Sequence, residues 1–220
     1  MKNSYIILSG GGDIKESFKL DEKYFSLLKN NAKILYIPIA LNRTKLGFEA
    51  CYDWFSSLVS EYAKEKDIDF TMLLENDEIP DFETYDSIYI GGGNTYKLLD
   101  YIYRKDIGGK IIEYIKRDGI VYGGSAGAMI LGKDIRTAEE ENDENYPNFN
   151  GLNLLENKSV ICHYMESLDQ KIFGVAKKIN SEIIAIPEDS GVILNNNTVE
   201  VVGEVFIFDK NNKRLMPTAS

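Results

Sequence analysis

Short runs of β-branched and aromatic residues alternate, over the first 131 positions, with longer stretches whose apolar residues recur every three or four places. Ser4–Ser9, Lys33–Ile39, Ile68–Leu73, Ser87–Ile90 and Gly119–Tyr122 read as strands. Asp21–Asn30, Gly47–Lys66, Thr95–Arg104, Ile107–Arg117 and Ala126–Leu131 read as helices. Strands separated by helices predict βαβ units with right-handed crossovers, hence an α/β fold: a doubly wound, mostly parallel sheet with helices on both faces. The unbroken apolar runs Ile34–Ile37 and Ile88–Ile90 agree, because parallel strands are buried on both sides.

After residue 136 the pattern lapses. Thr137–Asn150 is polar and acidic without a usable period and reads as a long loop; a strand follows at Ser159–Cys162 and a helix at Ser167–Asn180, with Ser167 and Gln170 in capping-box spacing. Glu182–Ile186, Gly191–Leu194, Val199–Val202 and Val205–Phe208 are short strands joined by turn residues, and suggest a C-terminal antiparallel extension at the sheet edge. No repeat or linker divides the chain, so residues 1–220 are expected to form one domain.

Composition narrows the partners. The chain is 44% hydrophobic and 27% charged, which is ordinary for a globular protein and excludes disorder. Its net charge of −10 repels phosphate backbones and anionic leaflets, so neither nucleic acid nor membrane is an expected partner. The opening MKNSYIILSGGGD fits neither a signal peptide nor a spanning helix, and a cytosolic setting is expected. Two cysteines, Cys51 and Cys162, and a single histidine cannot assemble a zinc set; no metal is expected, and the cysteines read as free thiols.

Three glycine clusters follow strands, where loops beyond the carboxyl ends of a parallel sheet approach ligands: Gly10–Gly12, Gly91–Gly93 and Gly123–Gly127. The first two fail the dinucleotide fingerprint at the third glycine, where Lys15 and Tyr96 stand. Gly127–Asp134 imitates a phosphate loop but places Asp134 where Ser or Thr would hold magnesium, and reads instead as a packed helix with a glycine stop. Gly123-Gly124-Ser125-Ala126-Gly127 is different. It satisfies G-x-S-x-G between a strand and a helix, the context of a nucleophile elbow, although a helix-capping serine in a glycine turn fits the same residues.

A serine nucleophile requires a base. His163 is the one histidine, and it ends an apolar strand, which places it on the same rim as Ser125. Beyond the next strand stand Glu188 and Asp189; either can orient an imidazole, and Glu188, the first past the strand and its proline, is the better placed. The amides of Ala126 and of the Gly91–Gly93 loop, Gly92 and Gly93 among them, are the candidate oxyanion donors. The order serine, histidine, acid argues against the α/β-hydrolase fold, in which the acid precedes the histidine.

Four blocks carry a further resemblance: Ile90-Gly-Gly-Gly-Asn-Thr-Tyr-Lys-Leu-Leu99, Tyr122-Gly-Gly-Ser-Ala-Gly-Ala128, Gly151-Leu-Asn-Leu-Leu155 leading to His163-Tyr164, and Ile186-Pro-Glu188. In these the chain resembles the peptidase E or aspartyl dipeptidase family of serine peptidases, with cyanophycinase as a more distant relative. The resemblance implies a fold like that of class I glutamine amidotransferases and a Ser125–His163–Glu188 triad. It also assigns Asn94 and Glu140 to substrate binding, Glu140 standing where an aspartate is typical of the dipeptidases. The arginine-bearing segment that the dipeptidases carry after the histidine has no counterpart in Tyr164–Lys171. Glu166, Asp169 and the acidic run Glu139–Glu141 with Asp143 and Glu144 lie nearby in sequence, so a strict preference for N-terminal aspartate is not expected; neutral or basic first residues should serve at least as well. The expected activity is hydrolysis of short peptides without a cofactor. Two rivals share the pocket: an amide hydrolase or acyl transferase on a non-peptide substrate, and a catalytically inactive small-ligand-binding protein.

Overall fold

In a computed structural model of the chain, residues 4–41, 43–142, 145–196 and 198–218 are described, residues 43–46 by their backbone alone. The first half lays down β1 (Tyr5–Ser9), α1 (Phe18–Leu27), β2 (Ala32–Ile37), α2 (Arg43–Tyr62), β3 (Ile68–Met72), β4 (Ser87–Ile90), α3 (Thr95–Arg104), α4 (Ile107–Lys116), β5 (Ile120–Gly124) and α5 (Ala126–Leu131). The second half adds β6 (Ser159–Ile161), α6 (Asp169–Ile179), β7 (Ile183–Ala185), β8 (Gly191–Asn195), β9 (Thr198–Val202), β10 (Phe206–Phe208) and β11 (Lys213–Leu215).

Seven strands form the main sheet in the order β3-β2-β4-β5-β1-β8-β9. β1 to β5 run parallel, and β8 and β9 extend the β1 edge antiparallel. The alternation along each strand divides the core between two faces. Ile6, Leu8, Leu35, Ile37, Ile88 and Ile90 pack with α3, α4 and α5, whereas Ile7, Ile34, Tyr36, Tyr89 and Tyr122 pack with α1 and α2. Helices therefore cover both faces, which is why the central strands read as unbroken apolar runs.

The sequence reading places β6, β7 and β10 less well. They do not join the main sheet; with β11 they form a second, four-stranded sheet in the order β11-β10-β7-β6, in which β6 and β7 are parallel and the others antiparallel. α6 packs against it through Ile172, Ala176 and Ile179. Three-residue strands carry too little pattern to tell one sheet from another, and β11, Lys213-Arg214-Leu215, carries none that marks it as a strand.

Helix ends differ from the pattern for local reasons. α1 stops at Leu27, where the Lys66 ammonium donates to the carbonyls of Phe25, Ser26 and Leu28 at 2.6, 3.1 and 2.5 Å. α2 is interrupted at Gly47, whose φ of 65° is not helical. The capping box at Ser167 does not form: the chain enters α6 through a 3-10 turn at Glu166–Leu168, and no side chain caps the helix.

Candidate active site

β5 delivers the elbow. Its last two residues are Gly123 and Gly124, and the chain turns at Ser125 with φ 48° and ψ −109° before α5 begins. A non-glycine residue in that region stores on the order of 1–3 kcal/mol of backbone strain. The Ser125 amide is fixed by donating to the Ser9 carbonyl at the end of β1, at 3.2 Å. Glycine at 127 is a matter of space, since a methyl there would sit 2.2 Å from the Ile90 carbonyl oxygen. Ser125 makes no side-chain cap of α5, so of the two readings of this serine the cap is not the one realised.

His163 and Glu188 arrive from the second sheet. His163 follows β6, takes φ 53°, and donates its amide to the Gly10 carbonyl at 2.9 Å. Glu188 follows β7 beyond Pro187. The result is a continuous line: Ser125 Oγ lies 2.8 Å from His163 Nε2, and His163 Nδ1 lies 2.8 Å from Glu188 Oε1. Because an ionised carboxylate only accepts, Nδ1 carries the imidazole proton, which leaves Nε2 as an acceptor for the Ser125 hydroxyl. His163 and Glu188 are 45% and 49% exposed, so the imidazole is open to an incoming substrate. Asp189 accepts from its neighbour Ser190 at 2.9 Å and is not on this line.

Cys162 precedes the histidine but is no rival nucleophile. Its thiol is buried, points at the carbonyls of Ser9 and Ser125 at 3.5 Å, and is pushed well up by burial, so it stays protonated. Cys51 is likewise a buried free thiol.

The Gly91–Gly93 loop crosses beside the serine: a methyl on Gly92 would lie 3.1 Å from Ser125 Cβ. Gly91 and Asn94 donate to the carbonyls of Ile37 and Ala40, whereas among the described residues the amides of Gly92 and Gly93 meet no backbone acceptor. Ala126, the first residue of α5, adds an amide at a helix N-terminus. Asn94 caps α3, accepting from the Lys97 amide at 2.9 Å and donating to the Glu141 carbonyl at 3.3 Å. Glu140 is half-buried beside it and accepts from the Thr95 amide at 2.6 Å. These two bonds tie the acidic loop to the rim. Asp143 and Glu144 of that loop lie outside the described residues. Among the described residues, no three His, Cys, Asp or Glu side chains gather as a metal site would require, and no helix is long and apolar enough to cross a membrane.

Two cavities border Ser125. One, of about 250 Å³, is lined by Asn94, Glu139 and Glu140. The other, of about 450 Å³, is lined by Tyr36, Trp54, Tyr89 and Tyr122. The sequence reading misses this aromatic group. Its signal is present, however: each of three buried strands carries one tyrosine, and a phenol inside a parallel sheet needs a reason to be there.

The model of peptidase family S51 matches residues 5–202 of the chain. The chain is 28% identical over 188 residues to peptidase E of Shewanella denitrificans, covering 80% of this chain and 77% of that one. Among solved structures, a peptidase from an acI-B1 Actinobacterium superposes with a TM-score of 0.70 at 20% identity, over 99% of this chain and 95% of that one. A structure from Listeria monocytogenes EGD-e gives the same TM-score at 21% identity, over 90% and 98%. The fold is common to all three.

Proposed function

The chain belongs to peptidase family S51 and is a serine-type peptidase, and from that premise we propose that it hydrolyses short peptides, dipeptides first, through a Ser125–His163–Glu188 triad. The observation that carries this reading is the hydrogen-bonded line from Ser125 Oγ through the imidazole to Glu188, at 2.8 Å on each side.

Ser125 Oγ attacks the scissile carbonyl as His163 Nε2 takes its proton; Glu188 holds the tautomer and stabilises the imidazolium that forms. The amides of Ala126, Gly92 and Gly93 receive the oxyanion, a role worth about 3–4 kcal/mol per donor in related chemistry. The proton passes to the departing amine, and water, activated by the same imidazole, releases the acyl group. Glu140 accepts the substrate's α-ammonium. It suits that role because the Thr95 amide fixes it and because, among the described residues, it has no ion-pair partner, whereas its neighbour Glu139 pairs with Lys171 at 2.6 Å. Buried free thiols at Cys51 and Cys162 suit a reducing, cytosolic setting.

Turnover of a dipeptide library followed by mass spectrometry tests the reading. Ser125→Ala and His163→Ala should each lose on the order of 10⁴–10⁶ in rate, with the double variant no worse, because triad members act as a unit. Near-wild-type turnover by His163→Ala would remove the triad, since no second histidine exists to replace it.

A further inference from the structure

Tyr36, Tyr89 and Tyr122 stand in register across three neighbouring strands, β2, β4 and β5. Strict register puts all three on one face, where Tyr89 stacks on Tyr122 with ring centres 4.4 Å apart and meets Tyr36 edge-on at 5.7 Å. Burial pushes the phenols of Tyr89 and Tyr122 well up, so this floor is uncharged. Trp54 of α2 closes one side, 6.1 Å from both Tyr36 and Tyr89, and Leu41 adds to the apolar wall.

This row is the floor of the 450 Å³ cavity, whose lining also includes Gly92, Gly93, Ser125 and His163. Ser125 lines the same cavity, so a side chain seated there is placed beside the seryl oxygen. Among the described lining residues Asp13 is the one charged group, and none is cationic. Among the described lining residues a substrate carboxylate would find no Lys or Arg and would be desolvated against aromatic carbon. An aromatic or long aliphatic side chain would exchange water for the part-exposed Trp54 ring beside a tyrosine row that is itself almost fully buried. The neighbouring cavity shares Gly93, Ser125 and His163 with this one and holds Glu140, so a free α-ammonium and the adjoining side chain have separate places.

We propose that the Tyr36–Tyr89–Tyr122 cavity is the specificity pocket for the substrate's amino-terminal residue, and that it selects a large apolar side chain, aromatic above all. The proposal rests on the peptidase reading for its orientation, and its test separates the two. Trp54 is the only tryptophan in the sequence and lines the cavity, so its emission reports occupancy directly. Titrating Ser125→Ala protein with Phe-Leu should shift that emission saturably, with a Kd at least about tenfold below those of Ala-Leu, Asp-Leu and Lys-Leu; wild-type kcat/KM should rank the dipeptides in the same order. Ala50 lines the cavity from the exposed surface of α2, and Ala50→Phe should narrow it, lowering the ratio of kcat/KM for Phe-Leu to that for Ala-Leu by about tenfold or more.

Equal or tighter binding of Ala-Leu, Asp-Leu or Lys-Leu, or no Trp54 response to Phe-Leu, overturns the pocket assignment even where dipeptides are hydrolysed. Tight, Trp54-reported Phe-Leu binding without turnover of any of the four dipeptides by wild-type protein upholds the pocket and overturns the peptidase mechanism instead.

Discussion

Ser125 and the amides around it stand on the seven-stranded sheet, whereas His163 and Glu188 come from the four-stranded one. The first group is held by local rules: a strand end, a tight turn and a helix start fix Ser125 within a few residues. The second depends on a seam between sheets. There Gly10, just past β1, accepts from the His163 amide at 2.9 Å, and the Cys162 thiol, just past β6, points at the carbonyls of Ser9 and Ser125 at 3.5 Å. The difference teaches where the site is vulnerable. The proposed nucleophile keeps its place while β1, β5 and α5 are intact; the proposed base and its orienter are aligned only while the seam holds.

The largest expected effect separates the two candidate acids on the small-sheet side. Glu188→Gln should lower kcat by on the order of 10³–10⁴ with little change in KM, because the carboxylate acts on the imidazolium of the transition state. Asp189→Asn should change kcat less than about threefold, since Asp189 bonds Ser190 and not the imidazole. A reversed pattern in steady-state kinetics would reassign the acid.

Next comes the seam itself. A methyl at Gly10 would fall 1.8 Å from the Pro187 carbonyl oxygen, a backbone atom with nowhere to go. Gly10→Ala should destabilise the protein by about 3–5 kcal/mol in urea unfolding and misalign Glu188. Gly174 in α6 has nothing within 4 Å of the same position, and Gly174→Ala should stabilise by about 0.5–1 kcal/mol. Equal effects at the two glycines would deny the seam its role.

A pH-dependent effect on stability alone lies beneath the large sheet. Asp21 is buried under Tyr122, whose hydroxyl donates to Oδ1 at 2.7 Å. The one hydroxyl proton of Ser17 faces both the Asp13 carbonyl at 2.8 Å and Asp21 Oδ2 at 2.6 Å; when it goes to Asp13, a proton on Asp21 completes the second bond. Desolvation, opposed by the bonds from Ser17 and Tyr122, pushes Asp21 up to about 6 from 3.8. A raised folded value means that ionising the group costs the folded state. Its contribution is therefore best below about pH 4, declines as pH rises to about 6 and is flat above, a span of about 3 kcal/mol. Asp21→Asn should flatten that part of the stability curve while leaving the His163–Glu188 side untouched, as urea melts between pH 4 and 7 would register.

What the sequence revealed follows the same division. The parallel sheet, its two helical layers and the elbow are periodic or local, and Gly123–Gly127 could be read in place. His163 and Glu188 were legible as residues at strand ends, but their sheet was not: β6 and β7 are three residues each, and a short apolar run does not say which neighbour it pairs with. Gly10–Gly12 was legible as a cluster, yet its reason is convergence of distant backbone; at Gly11, φ is 97° and a methyl would fall 2.6 Å from the His163 ring. The tyrosine row needed strand register, which sequence does not supply, and the Glu140–Thr95 bond needed the path of a loop without period.

The central claim is that a seryl oxygen on one sheet is activated by an imidazole on the other. An active-site-directed fluorophosphonate tests it most directly, with the adduct located by peptide mapping. The account predicts one equivalent bound at Ser125 in wild-type protein, and labelling slowed at least about a hundredfold in His163→Ala protein that remains folded. Labelling at another residue, or at Ser125 with equal speed without the histidine, would contradict it.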